Sequence, residues 1–554
     1  MILATPERIK EYTQKGCWET RRTLIDDFKE HALKMPGVTA FVDPPNKEVL
    51  VGSAPERVTY ENFAKAVDSV ATALKSEGIA KDDIVLVQLP NCWELGMLYL
   101  AIARAGGIIS PMPMQWRSRE VTYVAELTEA KAIITVNEFH GFSFRSMADE
   151  ISRQVPSLKK IFTYEDLRQM MQETPDTDLD KVPIDPNDIF TICWTSGTEA
   201  QPKGCPLSHN NWRCQAGLAG SVVKPGDIML TAGPLVNMAS VGTVLVPWIR
   251  YGGTVVLHHP FDPQILLKQM VEERINYTLL VPAVVNLILK HPASQSFDLS
   301  SIRTITVGSA PPSLWAMEEF KKRWDIDIGN IWGQNEGTAI VSSVADVPDM
   351  TVRVDHFPRY GAPGVEWSTP MAKFIQLKIV GPDGSELTED GAVGELLYRG
   401  PNVIPGYFKR PDLNETAFDE NGYFRTGDLF MIAGDRYLKF FDRAKDIIIR
   451  GGYNISAQEI ENIMLAHPAV QDVAAVGMPD ENLGERVCLY VVTKPGQTIT
   501  LDDVIDYMKQ QGVATYKLPE RLEVVEAIPR NPVGKVLKKE LRKDIRRRLG
   551  LSDS

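Results

Sequence analysis

Ten consecutive residues read Thr195-Ser-Gly-Thr-Glu-Ala-Gln-Pro-Lys-Gly204 and follow directly on the apolar run Ile189-Phe-Thr-Ile-Cys-Trp194. The apolar run predicts a buried strand. After it, small residues let backbone N–H groups point at an anion, hydroxyls add donors, and Lys203 adds a compact positive charge. This combination predicts a loop that holds a polyphosphate. The alternative is a polar surface turn, which Gly, Ser and Pro often form.

The segment is not the common nucleotide-kinase loop, which requires G-x-x-x-x-G-K-[ST]. Counted from Gly197, Lys203 stands at the right position. However, Pro202 replaces the second glycine, and Gly204 replaces the hydroxyl residue that would bind magnesium. The sequence therefore predicts a phosphate loop of another class.

The composition restricts the class of protein. A chain of 554 residues is too long for one compact domain, and 44% hydrophobic residues with 24% charged residues allow a sizeable core. The net charge of −12 argues against a nucleic-acid binder, whose contact surface would be basic. It also argues against tight association with an anionic membrane.

Cysteine spacing and the apolar pattern favour a cytoplasmic protein. None of the six cysteines forms a C-x-x-C pair, so neither a structural zinc site nor a disulfide framework is predicted. The N-terminus lacks a signal-peptide pattern. The longest apolar stretch, around Gly96–Pro111, carries Arg104 and is too short to span a bilayer, so no transmembrane segment is expected.

Short apolar runs alternate with helical patterns along most of the chain. Predicted strands include Ile84–Leu89, Ala132–Val136 and Tyr277–Val281, and predicted helices include Glu94–Arg104 and Pro263–Glu273. This alternation predicts an α/β fold with largely parallel sheets covered by helices. After about residue 361 the pattern predicts a β-rich subdomain, and from about residue 446 helices and short strands predict a small α+β domain.

Several later segments could carry chemistry. Gly308-Ser-Ala-Pro-Pro-Ser313 would let a flat ring lie close to the backbone, although helix capping by its last serine explains part of the pattern. In Ile331-Trp-Gly-Gln-Asn-Glu-Gly337, Trp332 offers a stacking face for a base, and Glu336 offers an oxygen ligand for magnesium. A lone glutamate in a turn is otherwise usually solvated.

Three charged segments follow towards the C-terminus. In Tyr423-Phe-Arg-Thr-Gly-Asp428, the carboxylate of the aspartate can accept hydrogen bonds from two hydroxyls at once. Asp442-Arg-Ala-Lys-Asp446 precedes an apolar run, a pattern that would suit an exposed crossing between domains. The alternative is a solvated face. Pro529-Arg-Asn-Pro-Val-Gly-Lys-Val-Leu537 precedes the basic stretch Lys538–Arg548, where exposed lysines are the ordinary expectation.

Taken in order from Thr195 to Lys535, these motifs resemble those of the adenylate-forming superfamily, which comprises AMP-forming acyl-CoA synthetases, aryl-acid adenylating enzymes and luciferases. The AMP-forming carboxylate–CoA ligases are the most similar branch, and the overall pattern resembles ligases for cyclohexanecarboxylate and related acids. The resemblance implies an adenylation domain over 1–442, a hinge over 443–446 and a mobile C-terminal lid domain over 447–554.

The resemblance also implies roles for individual residues. It implies catalytic roles for Lys203, Glu336 and Lys535, a hinge at Lys445, and magnesium binding by Glu336 and Thr198. The implied ATP- and AMP-binding residues are Thr195, Ser196, Gly197, Thr198, Ser309, Ala310, Pro311, Trp332, Gly333, Asn335, Asp428 and Arg443. The implied acyl pocket consists of Val236, Asn237, Met238 and Gly308, and the implied thioester-forming loop consists of Gly451, Gly452 and Tyr453.

The chain departs from the family pattern at three positions. Asn237 stands where a histidine or an aromatic residue is usual, which puts a gating role of that side chain in doubt. Trp332 replaces the commoner tyrosine, and Asn335 replaces a threonine. Asparagine still donates and accepts hydrogen bonds, so this last change is compatible with the same role.

The resemblance implies two half-reactions that use ATP, Mg²⁺ and coenzyme A. ATP and a carboxylate form an acyl-adenylate and pyrophosphate, and the thiol of coenzyme A then displaces AMP. Some aryl-acid adenylating relatives hold a ring hydroxyl with an asparagine at the position of Met238, which cannot pair with a hydroxyl. Burying a hydroxyl unpaired costs roughly 1–3 kcal/mol. We therefore expect an apolar acid, alicyclic or of medium chain length.

Three other functions stay open at this point. An aryl-acid adenylating enzyme would load a carrier protein in trans, and coenzyme A-dependent product formation would distinguish the two. A luciferase-like oxygenase would consume oxygen. A non-catalytic nucleotide-binding protein would show no turnover, but Lys203, Glu336 and Lys535 argue against it. A homodimer is also left open.

Overall fold

The computed structural model describes residues 1–195, 201–292, 294–451, 453–530 and 535–551. The chain forms two compact units. The first consists of Met1–Gln376 with Tyr398–Phe424, and the second of Leu377–Leu397 with Arg425–Ser554. The domain and hinge boundaries predicted between residues 442 and 447 stay predictions.

The largest sheet of the first unit has eight strands. Their order across the sheet is Ala339–Ser342, Asp327–Gly333, Thr304–Val307, Tyr277–Leu280, Ile228–Thr231, Thr254–Leu257, Thr39–Val42 and Arg57–Thr59. The six inner strands run parallel to one another, and each edge strand is antiparallel to its neighbour. Helices cover such a sheet on both faces, which explains why its strands read as continuous apolar runs.

A second sheet of the first unit has six strands. Their order is Gly204–Ser208, Ile189–Trp194, Ile108–Pro111, Ile84–Gln88, Ala132–Thr135 and Lys160–Thr163. Five are parallel, and Gly204–Ser208 pairs antiparallel with Ile189–Trp194. Every residue of Ile189–Trp194 is buried, which confirms the strand predicted before the phosphate loop. Two short strands, Glu138–Phe139 and Phe142–Ser143, form a separate hairpin.

Helices connect these strands, as the alternating pattern predicted. They are Pro6–Gln14, Leu24–Lys34, Lys47–Val51, Tyr60–Ser76, Trp93–Arg104, Ser118–Thr128, Phe144–Gln154, Tyr164–Met170, His209–Ala219, Met238–Ser240, Val246–Tyr251, Pro263–Glu272, Pro282–Lys290, Leu314–Trp324, Met350–Arg353 and Pro411–Ala417. A π-helical turn spans Val241–Leu245, 3-10 turns span Thr177–Lys181, Ser294–Ser296 and Pro370–Phe374, and a further strand spans His356–Pro358.

The longest apolar stretch of the sequence belongs to the core. Every residue of the helix Trp93–Arg104 is buried, and the strand Ile108–Pro111 lies inside the six-stranded sheet. The one acidic residue of the helix, Glu94, accepts a hydrogen bond at 2.8 Å from the buried ammonium of Lys47. Among the described residues, no helix is long and apolar enough to cross a membrane.

The second unit contains two largely antiparallel sheets. The strands of the first follow the order Tyr437–Arg443, Phe424–Ala433, Val393–Arg399, Gln376–Val380 and Glu386–Leu387, and form the predicted β-rich subdomain. The strands of the second follow the order Tyr453–Ile455, Ile448–Arg450, Gly484–Thr493 and Val470–Asp480, and Arg521–Val524 pairs with Gly484–Thr493. Short 3-10 turns span Ala444–Asp446 and Thr515–Lys517.

Helices cover both faces of the second sheet. Ala457–Leu465 and Leu501–Gln510 pack on one face, and the C-terminal helix Lys538–Arg548 packs on the other. The prediction of short strands is confirmed for three strands of this sheet but was wrong for the other two. Val470–Asp480 has 11 residues and Gly484–Thr493 has 10, because one tight hairpin turn lets both strands pair along their full length.

Candidate active site

The predicted phosphate loop joins the antiparallel strands Ile189–Trp194 and Gly204–Ser208. At its base, the Thr195 amide donates to the Lys203 carbonyl at 3.0 Å, and the Lys203 amide donates to the Thr195 hydroxyl at 3.3 Å. The two ends of the loop are therefore held together by hydrogen bonds. Three predicted ATP-binding residues lie outside the described residues: Ser196, Gly197 and Thr198.

Tyr407 connects two of the predicted catalytic residues. The Lys203 ammonium lies 4.8 Å from the centroid of the Tyr407 ring, within the range of a cation–π interaction. The Tyr407 hydroxyl donates to Oε1 of Glu336 at 2.7 Å. Glu336 is only 8% exposed, so it is not a solvated turn residue. One aromatic side chain thus positions a cation and a carboxylate together.

The segment around Tyr407 is itself held by both predicted motifs. The Ile404 amide donates to the Glu336 carbonyl, and the Phe408 amide donates to the Gly204 carbonyl, each at 2.9 Å. Sequence reasoning missed Tyr407. The available signal was an aromatic residue directly after Pro405-Gly406, a turn pair in an otherwise apolar stretch.

Replacing Tyr407 with phenylalanine is expected to lower kcat/KM for ATP by about tenfold, because it removes one hydrogen bond to a buried carboxylate. The ring beneath Lys203 remains, so Tyr407→Leu should cost more. Steady-state kinetics at varied ATP measure both effects. Tyr60→Phe, which removes a buried hydroxyl bonded to the Gly253 carbonyl, is the matched control. Equal losses in the Tyr407→Phe and Tyr60→Phe variants would contradict a specific role of Tyr407.

Asn335 joins three predicted motifs. Its Nδ2 donates to the Trp194 carbonyl at 2.7 Å, and its Oδ1 accepts from the Met238 amide at 2.8 Å. The side chain thus ties the start of the phosphate loop to the predicted acyl-pocket segment. Both the donor and the acceptor of the side-chain amide are used. The asparagine that replaces the family's threonine therefore makes specific contacts at this position.

The strand Asp327–Gly333 and the turn after it place Trp332 and Glu336. Trp332 is only 8% exposed, so little of the residue is accessible. Gly337 has a φ of +90°, and an added Cβ would lie 2.0 Å from the Asn402 carbonyl oxygen, so only glycine fits. The Asn402 side chain donates to the Gly337 carbonyl at 2.5 Å and fixes this turn.

The predicted acyl-pocket residues lie on a short helical segment. Asn237 is the N-cap of Met238–Ser240, and its side chain accepts from the Ser240 amide at 3.4 Å. The asparagine at this position therefore has a structural partner, and its gating role stays untested. Val236 and Met238 are both buried.

The segment after the strand Thr304–Val307 has an unusual backbone. Ser309 adopts a φ of +72°, a left-handed conformation that is uncommon for residues other than glycine. Such conformations are often found at binding sites. At Gly308, an added Cβ would lie 3.1 Å from Cγ2 of Ile331, a close approach that favours glycine. Ser313 caps the helix Leu314–Trp324 as expected. Ala310 and Pro311 are half-buried.

A second group of predicted residues lies in the second unit. Asp428 and Arg443 are direct partners on antiparallel strands, and Arg443 Nε lies 3.6 Å from Asp428 Oδ1. Burial lowers the pKa of Lys535 to about 7, the positive charge of Arg443 lowers it next, and Asp428 acts in the opposite direction. Lys445 contributes a further lowering. Four predicted residues from three distant segments therefore share one electrostatic environment.

Lys535 follows a gap in the described residues, positions 531–534. Around it, Arg530 and Val536 form a β-bridge, and the Leu537 amide donates to the Pro529 carbonyl at 2.8 Å. The described residues on the two sides of this gap are therefore hydrogen-bonded to each other next to Lys535.

The predicted thioester-forming loop is only partly described. Gly451 has a φ of +56°, Gly452 lies outside the described residues, and Tyr453 is 55% exposed. The Tyr453 ring stacks on Tyr516 at 4.4 Å between centroids.

The basic stretch Lys538–Arg548 forms a helix that buries Leu541 and Ile545. Its cations take part in ion pairs within the unit, such as Arg542 with Asp446 at 3.0 Å.

The described residues fit the expected magnesium only in combination with a nucleotide. Among them there is no group of three or more His, Cys, Asp or Glu side chains that could hold a metal. Magnesium in nucleotide sites commonly uses one or two carboxylates together with phosphates. Glu336, oriented by Tyr407, would supply such a carboxylate.

Comparisons with known proteins agree with this architecture. The sequence matches the family described as AMP-binding enzyme over residues 28–408 and the AMP-binding enzyme C-terminal domain over residues 459–535. Medium-chain fatty-acid–CoA ligase from Escherichia coli (strain K12) is 31% identical over 562 residues, which cover 98% of this chain and 94% of the relative.

Two further similarities extend over nearly the whole chain. 2,3-Dihydroxybenzoate-AMP ligase from Bacillus subtilis (strain 168) is 29% identical over 554 residues, covering 98% of this chain and 97% of the relative. The crystal structure of ATP-bound MatB from Rhodopseudomonas palustris matches with a TM-score of 0.80 at 25% identity, covering 94% of this chain and 99% of that one.

Proposed function

The chain belongs to the AMP-binding enzyme family and is an adenylate-forming acid ligase, and from this premise we propose that it joins an apolar carboxylic acid to coenzyme A. The observation that carries the proposal is the Lys203–Tyr407–Glu336 arrangement beside the phosphate loop. It supplies a cation for phosphate oxygens and a carboxylate for a metal-bound nucleotide.

In the first half-reaction, a carboxylate oxygen of the acid attacks the α-phosphorus of ATP. The new P–O bond forms as the bond to the β-phosphate oxygen breaks, and pyrophosphate leaves. Lys203 binds the departing phosphates, and Lys535 neutralises charge as the carboxylate approaches. Asp428 and Arg443 hold the ribose. Magnesium, when bound, screens the phosphate charge.

In the second half-reaction, the thiol of coenzyme A attacks the acyl carbon. The C–S bond forms, the bond from the acyl carbon to the AMP oxygen breaks, and AMP leaves while the thiol proton passes to solvent. The chain turns at Lys445, and the loop containing Gly451 and Tyr453 then serves the acyl centre. Such a gating motion separates two reactions that need different surroundings.

Two observations support an apolar acid. Val236 and Met238 are buried at the predicted pocket, and the backbone N–H of Met238 is already taken by Asn335. A thioether cannot donate to a ring hydroxyl. A medium-chain fatty-acid–CoA ligase is also among the similar proteins. We therefore favour an alicyclic or medium-chain acid.

Met238→Asn is expected to improve the use of hydroxylated aryl acids relative to apolar acids by about tenfold, because the amide can pair with a buried hydroxyl. The ratio of kcat/KM values for 2,3-dihydroxybenzoate and cyclohexanecarboxylate measures this shift. Met270→Asn, at a buried methionine on the helix Pro263–Glu272, is the control for a general packing effect. An unchanged ratio of kcat/KM values would show that Met238 does not line the acyl pocket.

The second candidate is an aryl-acid adenylating enzyme that loads a carrier protein in trans. It is favoured by the similarity to 2,3-dihydroxybenzoate-AMP ligase over nearly the whole chain. The two candidates separate in one assay of AMP release with ATP, magnesium and coenzyme A across a panel of acids. The panel contains cyclohexanecarboxylate, benzoate, medium-chain fatty acids and 2,3-dihydroxybenzoate. AMP release that depends on coenzyme A supports the ligase. Pyrophosphate exchange without coenzyme A-dependent AMP release supports the carrier-loading enzyme.

We also propose the cytoplasm as the location of the reaction. ATP and coenzyme A are intracellular co-substrates of such a ligase. All six cysteines lie within the described residues and carry free thiols, five of them buried. Unpaired thiols are typical of reducing compartments.

A further inference from the structure

Asp442 is a buried carboxylate, 3% exposed, in the strand Tyr437–Arg443. Its Oδ2 accepts from the Ser456 hydroxyl at 3.0 Å and from the Gln458 amide at 3.1 Å. Ser456 is the N-cap of the helix Ala457–Leu465, and Gln458 lies in the first turn of that helix. The carboxylate therefore joins the end of one strand to the start of a helix that follows it in the chain.

A lysine completes the network. The Lys538 ammonium lies 2.8 Å from Oε1 of Glu461 and also interacts electrostatically with Asp442. Lys538 begins the C-terminal helix Lys538–Arg548 and follows Lys535 by three positions. Buried charges are costly unless they are paired and hydrogen-bonded, so this network favours one arrangement of its three segments.

The network flanks the predicted catalytic groups on both sides. Asp442 directly precedes Arg443, which faces Asp428 across the sheet. Lys538 closely follows Lys535, whose pKa responds to Arg443 and Asp428. Asp442 is hydrogen-bonded to the start of the helix Ala457–Leu465, and Glu461 of that helix is paired with Lys538. The network therefore holds Lys535 beside the pair that we assign to the ribose.

We propose that Asp442 is a positioning residue that latches Lys535 in place for adenylate formation and has to release its partners before thioester formation. The inference rests on the proposed function, in which the chain turns at Lys445. Asp442 lies before that residue, whereas Ser456, Gln458 and Lys538 lie after it. A rotation at Lys445 therefore separates Asp442 from all three.

The test measures the two half-reactions separately in the full-length protein. Asp442→Ala is expected to slow adenylate formation by about tenfold, the effect of losing hydrogen bonds to a charged acceptor. Conversion of a supplied acyl-adenylate to the thioester is expected to stay unchanged or become faster. Asp442→Asn keeps one weaker acceptor, so its adenylation rate should fall in the same way but by less. This variant replaces Asp442→Ala if the alanine protein does not fold.

Lys517→Gln is the matched control. It removes the Lys517–Glu459 ion pair, whose two members both lie after Lys445 and outside the predicted hinge. Its ratio of adenylation rate to thioesterification rate is expected to equal that of the wild type. Equal losses of both half-reactions in the Asp442 variants would indicate a purely structural role and overturn the proposal.

Hydrogen exchange separates a failure of the latch from a failure of the proposed function. The Gln458 amide donates to Asp442, so its exchange should be slow in the wild type and faster in Asp442→Ala, whether or not the protein turns over any acid. Unchanged protection of this amide in the variant would overturn the latch. Absent turnover in the wild type would overturn the proposed function alone.

Discussion

Replacing Lys535 with alanine is expected to slow acyl-adenylate formation by about 10²–10³-fold, because a preorganised charge at the transition state is lost. Conversion of a supplied acyl-adenylate to the thioester is expected to stay within about twofold of the wild type, since the lysine serves only the first step. Pyrophosphate release in a single turnover measures the first step, and thioester formation from synthetic acyl-adenylate measures the second. Equal losses in both steps would contradict the assigned role.

The same residue should give the first step a pH signature. Lys535 acts in its protonated form, and burial lowers its pKa to about 7 in the free protein. Because the charged form is lost above this pKa, kcat/KM for ATP should be highest below pH 7 and fall as the pH rises through about 7. Lys535→Arg should lack this fall, since a guanidinium stays protonated. If the Lys535→Arg variant shows the same fall in kcat/KM as the pH rises, that fall is due to another group.

Glu336→Gln is expected to lower kcat/KM for ATP by about 10²-fold and to raise the magnesium concentration needed for half-maximal activity. The amide keeps the shape of the side chain and can still accept from Tyr407, so the loss reports the charge. A magnesium titration of adenylate formation makes the measurement. Glu273→Gln, which alters a carboxylate paired with Arg57 at the surface, is the control. An unchanged magnesium requirement in Glu336→Gln would show that this carboxylate does not interact with the metal-bound nucleotide.

Local sequence patterns predicted much of the architecture because parallel strands buried on both faces leave a continuous apolar signal. The strand Ile189–Trp194 and the helix Trp93–Arg104 show this directly. The long hairpin formed by Val470–Asp480 and Gly484–Thr493 was underestimated. Its length depends on pairing between two strands, and neither strand alone carries that information.

The contacts within the candidate site were harder to predict. Tyr407 and Glu336 are 71 positions apart, and nothing local to either residue indicates that their side chains meet. Glu461 illustrates the same difficulty. A glutamate on an amphipathic helix is ordinarily solvated, but here it is buried and paired with Lys538, 77 positions later in the sequence. Motif order singled out Glu336, and only the tertiary structure could show that Tyr407 is its partner.

Two of the three departures from the family pattern are explained by specific contacts. Asn335 uses both ends of its amide to tie Trp194 to Met238, which a threonine hydroxyl would have to do with a single atom. Asn237 caps the short helix that follows it. At both positions the unusual residue has a structural partner, so these departures are compatible with an intact site.

The most direct test of the central claim follows one oxygen atom. An acid that supports turnover is labelled with ¹⁸O in its carboxylate and converted with ATP, magnesium and coenzyme A, and the products are analysed by mass spectrometry. If the carboxylate attacks the α-phosphorus, one labelled oxygen ends in AMP and none in pyrophosphate. AMP without the label, formed together with the thioester, would contradict an acyl-adenylate intermediate.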